Sequence, residues 1–323
     1  MTGRMTAVVL AVALLVAACG GDGETGRERL LVVATTTILG DVVANVAGDD
    51  ADVETLLPVG ADPHDFQPSA RDIARLREAD LVVANGLGLE AELTDALEAA
   101  ADDGVRILTV APGLDPIPFA GDGEDEDHAN EEDHAEEDHA DEEGHTDHGE
   151  LDPHVWMDPL RMADAARAVA AELDDLAEGD WASRAEAYAA ELEALDAEIA
   201  GLVAGIPAAE RVLVTNHEAL GYFAERYGFQ VVGVVVPGGS TMGDPSSAEL
   251  AGLVETMRET GVRAVFAETI DPSGLADAVA AEVGGAVAVV ELYTGSLGPE
   301  GSGAETLVDL LRLDAQRIVD ALS

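Results

Sequence analysis

Eight histidines are the residues of this chain best suited to chemistry, and they fall into two groups. Three stand alone in distinctive local sequences: His64 in Asp-Pro-His-Asp-Phe, His154 in Asp-Pro-His-Val-Trp, and His217 in Thr-Asn-His-Glu. The other five are crowded into residues 121–150. Neutral imidazole is a frequent ligand of divalent metal ions, so both groups suggest metal binding.

The three isolated histidines lie where predicted elements end or begin. His64 comes just past the carboxyl end of the second predicted strand, and His217 ends the first strand of the second half. His154 immediately precedes two predicted linking helices. Each alone is compatible with a hydrogen-bonded histidine in a turn. Ligands of open α/β sheets bind outside the carboxyl ends of strands, so we expect the three imidazoles to converge there and to suit Zn²⁺.

Short apolar runs alternate with helical patterns along the chain. The predicted strands are 30–35, 53–57, 80–85, 105–110, 211–216, 230–236, 262–268 and 286–292. The predicted helices are 38–47, 69–78, 89–101, 159–176, 180–204 and 306–322, together with one opened by Asp244-Pro245 and ending at Gly261 and one opened by Asp271-Pro272 and ending near Gly284. Near-continuous apolar strands separated by helices indicate parallel sheets. We predict an α/β fold of two lobes, each a mostly parallel four-stranded sheet flanked by helices, joined by a long rigid helix.

The predicted organisation has five parts. Residues 1–18 are a lipoprotein signal peptide and 19–28 a flexible tether, followed by an N-terminal lobe over 29–158, linking helices over 159–206 and a C-terminal lobe over 207–323. The apolar stretch 7–18 suits the core of an export signal, and Leu15-Val16-Ala17-Ala18-Cys19 resembles the bacterial lipobox. We therefore expect a protein lipid-anchored through Cys19 on the extracytoplasmic face of the cell membrane, although an ordinary cleavable signal with an incidental cysteine is the alternative.

Charge limits the classes of partner. The chain carries 16 basic against 66 acidic side chains, a formal net charge of −50, which repels phosphate backbones and argues against nucleic-acid binding. Much of the acidity lies in 121–150, which we name the acidic tract. It holds five histidines (128, 134, 139, 145 and 148) and no large apolar side chain. We expect the acidic tract to be a disordered loop with weak, exchangeable metal sites; a solvated acidic insert is the alternative.

Several motifs together resemble the metal-binding solute-binding proteins of bacterial ABC importers, the zinc and manganese uptake family. They are GADPHDFQPSARD from Gly60, DPHVWMDP from Asp152, NHEALGYFAERYG from Asn216, TMGDPS from Thr241, Phe266-Ala-Glu268, and ELYTGSLG from Glu291. The resemblance implies two α/β lobes, a rigid linking helix and one metal held between the lobes by His64, His154 and His217. It also implies an ABC permease and its ATPase as partners, and we expect a monomer that is not an enzyme.

The fourth ligand stays open. Several relatives carry an Asp about where Gly295 stands, and glycine offers no side chain. Glu268, Glu291 and water are candidates, and either Glu could instead orient an imidazole. The resemblance implies Zn²⁺, because manganese members commonly replace the third histidine with a carboxylate. Alternatives are a manganese- or iron-binding homologue, a zinc-dependent hydrolase, and a metal-storage or adhesin protein. Against a hydrolase, the chain has no HExxH, GxSxG or phosphate-binding loop motif.

Overall fold

The computed structural model describes residues 29–119, 151–270, 274–284 and 287–323. Within them the strands are β1 (Leu30–Ala34), β2 (Ala51–Thr55), β3 (Leu81–Ala84), β4 (Arg106–Thr109), β5 (Val212–Thr215), β6 (Gln230–Val234), β7 (Ala264–Glu268) and β8 (Ala288–Leu292). The helices are α1 (Thr37–Ala47), α2 (Ala70–Glu78), α3 (Thr94–Asp102), α4 (Pro159–Leu176), α5 (Trp181–Val203), α6 (Gly221–Tyr227), α7 (Ser247–Thr260), α8 (Leu275–Val283) and α9 (Leu307–Leu322).

The strands form two four-stranded sheets in which every pairing is parallel. The strand orders are β2-β1-β3-β4 and β6-β5-β7-β8, so the second sheet repeats the topology of the first. Parallel neighbours need crossover connections, and helices supply most of them. The predicted α/β class with two four-stranded parallel sheets is confirmed.

The inner faces of the two sheets share one apolar core. Successive side chains of a strand point to opposite faces, so Val32 of β1 and Phe266 of β7 enter this shared core. Their neighbours Val33 and Val265 pack into separate clusters on the outer faces. The shared core also takes in Trp181 of α5, and it therefore holds the lobes and the linking helices together.

The linking helices α4 and α5 lie where the sequence predicts them. The 23 residues of α5 give a helix of about 34 Å at 1.5 Å per residue. Near its start, the Tyr188 hydroxyl donates to Asp41 of α1 at 2.8 Å, and near its end Glu198 accepts from Arg312 of α9 at 3.1 Å. The helix therefore contacts both lobes along its length.

One predicted helix begins later than expected. The sequence predicts a helix over 89–101, but the structure has a 3₁₀ turn at Ala91–Leu93 and then α3. The carboxylate of the buried Glu90 accepts hydrogen bonds from the backbone N–H groups of Asn85 and Gly86 at 2.8 and 3.0 Å. These bonds stabilise a turn in place of the first helical turn.

A second correction concerns the start of α7. Asp244-Pro245 does not open this helix, because Ser246 is its N-cap. The Ser246 hydroxyl accepts from the Glu249 N–H at 3.2 Å, and the Glu249 carboxylate accepts from the Ser246 N–H at 2.6 Å. This reciprocal pair is a capping box and satisfies two backbone donors at once. The helix α6 has no counterpart among the predicted elements. The boundaries of the other predicted elements within the described residues agree with the structure to within about two residues, as assignments at element ends commonly do.

Some predictions fall outside the described residues. These are the signal peptide, Cys19, the tether, the acidic tract and the Asp271-Pro272 helix start, all of which stay predictions. Among the described residues, no helix combines the length and apolar character needed to cross a membrane.

Candidate metal centre

The structure brings His64, His154 and His217 together between the two sheets. His217 lies two residues beyond β5, the strand from which the second sheet extends in both directions. His64 lies in the loop between β2 and α2, and His154 immediately precedes the 3₁₀ turn Val155–Met157 that leads into α4. Each lobe therefore supplies one histidine from a strand-end loop, and the third comes from the start of the linking segment.

The three Nε2 atoms face one another. Nε2 of His154 lies 3.2 Å from Nε2 of His64 and 3.0 Å from Nε2 of His217. Two nitrogen ligands bound to a tetrahedral zinc at 2.0–2.1 Å would be about 3.3 Å apart. In the described part of the chain, these three residues are the one group of histidine, cysteine or acidic side chains close enough together to hold a metal ion. Their spacing matches a three-nitrogen metal site with little rearrangement.

A carboxylate holds the far side of the His217 ring. Thr215 pairs with Phe266 across β5 and β7, so His217 and Glu268, each two residues further on, lie side by side. Nδ1 of His217 is 2.6 Å from Oε1 of Glu268, and both side chains are about 1–2% exposed. Glu268 therefore contacts the nitrogen that faces away from the cluster, which leaves Nε2 directed at the other histidines.

A second carboxylate holds the ring of His154. Oδ1 of Asp152 accepts from the backbone N–H of His154 at 2.9 Å and contacts its Nδ1 at 2.7 Å. The Tyr222 hydroxyl donates to the backbone carbonyl of Asp152 at 2.6 Å and fixes this segment against α6. Buried carboxylates on Nδ1 fix the tautomer and orientation of an imidazole whose Nε2 binds metal.

Burial and charge set the protonation of the cluster. Burial, together with the neighbouring imidazoles, lowers the pKa of His64 and of His154 well below the usual value. Burial also lowers the pKa of His217, but the carboxylates of Glu268, Asp62 and Asp152 together outweigh it and the net shift is upward. Burial raises the pKa of Asp152 to about 7. Since the neutral imidazole is the ligand form, His64 and His154 are ready to bind metal at neutral pH.

A cavity of about 530 Å³ opens beside the half-buried His64. Its walls include Leu87 and Phe119 from the N-terminal lobe and Gly239 and Met242 from the loop between β6 and α7. His154 and His217 are each 1% exposed, so His64 is the member of the cluster that faces this opening. The cavity therefore connects solvent with His64, the one of the three histidines that lines it.

The candidates for a fourth metal ligand lie in different positions relative to the three histidines. Glu268 contacts Nδ1 of His217, on the side away from the cluster. Glu291 is an exposed residue of β8 and is not gathered with the histidines. Gly295 is buried between Pro63 and Ile270, and it brings no donor atom. The structure therefore places neither Glu among the converging nitrogens.

Sequence reasoning missed the role of two aspartates. Asp62 and Asp152 each stand two residues before a histidine, and in both cases Oδ1 accepts from that histidine's backbone N–H at 2.9 Å. The signal was present, because Asp-Pro-His occurs twice in the chain. A short acceptor side chain two residues before a backbone donor forms a local turn, and this turn presents the imidazole.

Comparisons with known proteins agree with this architecture. The chain is 32% identical to the manganese-binding lipoprotein MntA of Halalkalibacterium halodurans, over 98% of this chain and 97% of that protein. It is 31% identical to the iron-binding protein YfeA of Yersinia pestis, over 90% of this chain and 86% of that protein. The solved structure of the periplasmic zinc-binding protein TroA from Treponema pallidum superposes with a TM-score of 0.75 at 30% identity, covering 91% of this chain and 99% of that one.

These relatives are named as binding proteins for three different metals, manganese, iron and zinc. Residues 32–321 match the family described as "ZnuA: Zinc-uptake complex component A periplasmic". The predicted resemblance and the expectation that the chain is not an enzyme are both confirmed. The chain belongs to this family of metal-binding solute-binding proteins of ABC importers.

Proposed function

We propose that the chain captures Zn²⁺ with His64, His154 and His217 and delivers it to the membrane permease of an ABC importer. The observation that carries this proposal is the convergence of three Nε2 atoms between the lobes. Members of the family work with a permease and its ATPase. The chain itself acts as a monomer that passes the ion on, and it performs no chemistry on it.

The donor set supports zinc over manganese. All three converging atoms are imidazole nitrogens, whereas manganese favours carboxylate, carbonyl and water oxygens. The nearest carboxylates, Asp152 and Glu268, contact the Nδ1 atoms and so face away from the cluster. Gly295 adds no oxygen. Among the candidates for the fourth position this leaves water, which fits a site that must release its ion.

The same proposal includes the boundaries of the parts. The lobes cover residues 29–158 and 207–323, and the linking helices cover residues 159–206. The ion then sits between the two lobes and beside the start of the linking helices, because His64 follows β2, His154 precedes α4 and His217 follows β5. The acidic tract is an accessory that gathers cations near this site. The residues that flank the tract are paired with each other: Pro118 pairs with Leu151, and the Asp152 N–H donates to the Ile117 carbonyl at 2.8 Å. Both ends of the tract therefore lie close to His154, which supports such an accessory role.

A chain in which residues 121–150 are replaced by a short Gly-Ser turn tests the metal and the stoichiometry. The flanking residues already lie side by side, so we expect the variant to fold and to bind one tight equivalent of Zn²⁺ by calorimetric titration. Excess Mn²⁺ or Fe²⁺ should fail to displace it. The full chain should show the same tight site and additional weak equivalents.

Three results would contradict this assignment. If the shortened chain lost the tight site, the acidic tract would supply a ligand. If Mn²⁺ displaced Zn²⁺ at equal concentration, the site would be a manganese site like the one that the name of the Halalkalibacterium halodurans relative indicates. Several weak equivalents without a tight one would indicate a storage protein.

We further propose that Cys19 carries the lipid anchor, in keeping with relatives named as lipoproteins. Cys19→Ser should leave the protein in the soluble extracytoplasmic fraction or the medium, because a net charge of −50 gives no electrostatic attraction to an anionic membrane. Fractionation after a high-salt wash measures this, with Ser302→Ala as a control that should remain in the membrane pellet. A Cys19→Ser protein that stayed in that pellet would overturn the assignment.

A further inference from the structure

The two Asp-Pro-His turns use the second oxygen of their aspartate differently. In the turn at Asp152, Oδ1 both accepts from the backbone N–H of His154 and contacts its Nδ1, and Oδ2 forms no hydrogen bond with the described residues. In the turn at Asp62, Oδ1 accepts from the His64 backbone N–H, but Oδ2 accepts from the hydroxyl of Thr241 at 2.5 Å. Thr241 belongs to the other lobe, 179 residues further along the chain.

Among the described residues, no carboxylate contacts the ring of His64. Asp152 and Glu268 hold the Nδ1 atoms of the other two histidines. Within the residues that the structure describes, no hydrogen bond or ion pair is recorded for Nδ1 of His64. The direction of this imidazole therefore depends on its loop, and the Asp62 turn is the part of that loop bonded directly to the His64 backbone.

The loop that carries Thr241 is itself anchored beside His217. The Glu218 carboxylate accepts from the backbone N–H groups of Gly238 and Gly239 at 3.1 and 2.5 Å. Gly239 has a φ of +69° and lies against the ring of Phe119, where a Cβ atom would come within 2.7 Å of a ring carbon. The loop is thus fixed at its base, and Thr241, between two residues that line the cavity, donates from it to Asp62 of the other lobe.

We propose that Thr241 is a positioning residue that holds His64 in the metal-binding direction through Asp62 and thereby slows the release of the ion. The inference rests on the proposed function, since it requires His64 to be a ligand. A hydrogen bond to a charged group contributes enough free energy to change a rate or an equilibrium by roughly tenfold or more. The hydrogen bond joins the two lobes next to the cavity. Its loss therefore loosens His64, the ligand that lines this cavity.

Thr241→Val removes the hydroxyl and keeps the shape of the side chain. We expect zinc to leave this variant about tenfold faster than the wild-type chain, measured by stopped-flow with an excess of a chromogenic chelator. Thr241→Ser keeps the hydroxyl and should restore slow release, which a loss of packing would not explain. Thr260→Val makes the same change at an exposed residue that ends α7, away from this cavity, and should release zinc at the wild-type rate.

A double-mutant cycle separates this inference from the proposed function. If Thr241 acts through His64, then adding Thr241→Val to His64→Ala should cause no further change in the release rate. A full tenfold effect of Thr241→Val in the His64→Ala background would overturn the inference, as would wild-type release by Thr241→Val alone. If His64→Ala itself retained wild-type zinc affinity, the proposed ligand set would fail and the role of Thr241 with it.

Discussion

His154→Ala is expected to weaken zinc binding by several orders of magnitude. His154 is the central member of the cluster, since its Nε2 lies 3.2 Å from one partner nitrogen and 3.0 Å from the other. The substitution removes one of three ligands and leaves the buried carboxylate of Asp152 without its imidazole. The Asp152 carboxylate lies on the Nδ1 side of the ring, away from the other two nitrogens, so it does not replace the lost ligand.

His217→Ala should have an effect of similar size, and His64→Ala a smaller one. His64 is half-buried at the cavity, where water can take the place of its ring. Isothermal titration with Zn²⁺ measures all three. His128→Ala, in the acidic tract, is the matched control and should retain the tight site. Any of the three variants that titrated like the wild-type chain would show that its histidine is not a ligand.

The second large effect concerns metal preference at Gly295. Several relatives have an Asp at about this place, so Gly295→Asp alone would appear to restore an oxygen ligand. The structure predicts otherwise, because a Cβ at Gly295 would collide with the Ile270 side chain and come within 3.2 Å of Pro63. We expect Gly295→Asp to lower both the melting temperature and the zinc affinity, since overpacking a buried site commonly costs about 1–3 kcal/mol.

Removing the obstruction should reverse this outcome. In Gly295→Asp combined with Ile270→Ala, the carboxylate has space beside the histidines and adds an oxygen donor. We expect manganese affinity to rise at least tenfold relative to Ile270→Ala alone, because oxygen ligands suit Mn²⁺. Competition titrations of Mn²⁺ against Zn²⁺ on the three variants measure the shift. Unchanged manganese affinity in the double variant would show that position 295 does not reach the ion.

The sheets and the grouping of the histidines could be predicted from the sequence, because both follow from local patterns. Near-continuous apolar runs such as Leu81–Ala84 predict buried parallel strands. His217 could be placed because it ends such a run, and strand ends of parallel sheets meet at one edge. The contact of His217 with Glu268 follows from the same rule, since adjacent parallel strands end side by side.

Contacts between loops that lie far apart in the sequence could not be predicted in this way. Nothing local links Thr241 to Asp62, because their contact depends on how the two lobes are packed. The obstruction at Gly295 is of the same kind, since Ile270 and Pro63 come from different lobes. The predicted start of α7 was wrong for a more local reason. Ser246 and Asp244 are both good N-cap residues, and only Ser246 has the Glu three positions later that completes a capping box.

The apolar core shared by both sheets has a consequence for unfolding. Val32 and Phe266 pack into the same cluster as Trp181, so neither lobe can lose its inner packing while the other keeps all of its own. The lobes and linking helices therefore form one cooperative unit, unlike the separately melting domains of many two-domain chains. A ligand that binds only the folded chain stabilises the whole of that unit in proportion to the logarithm of its concentration. An ion held by three side chains thus protects every strand of the molecule from unfolding.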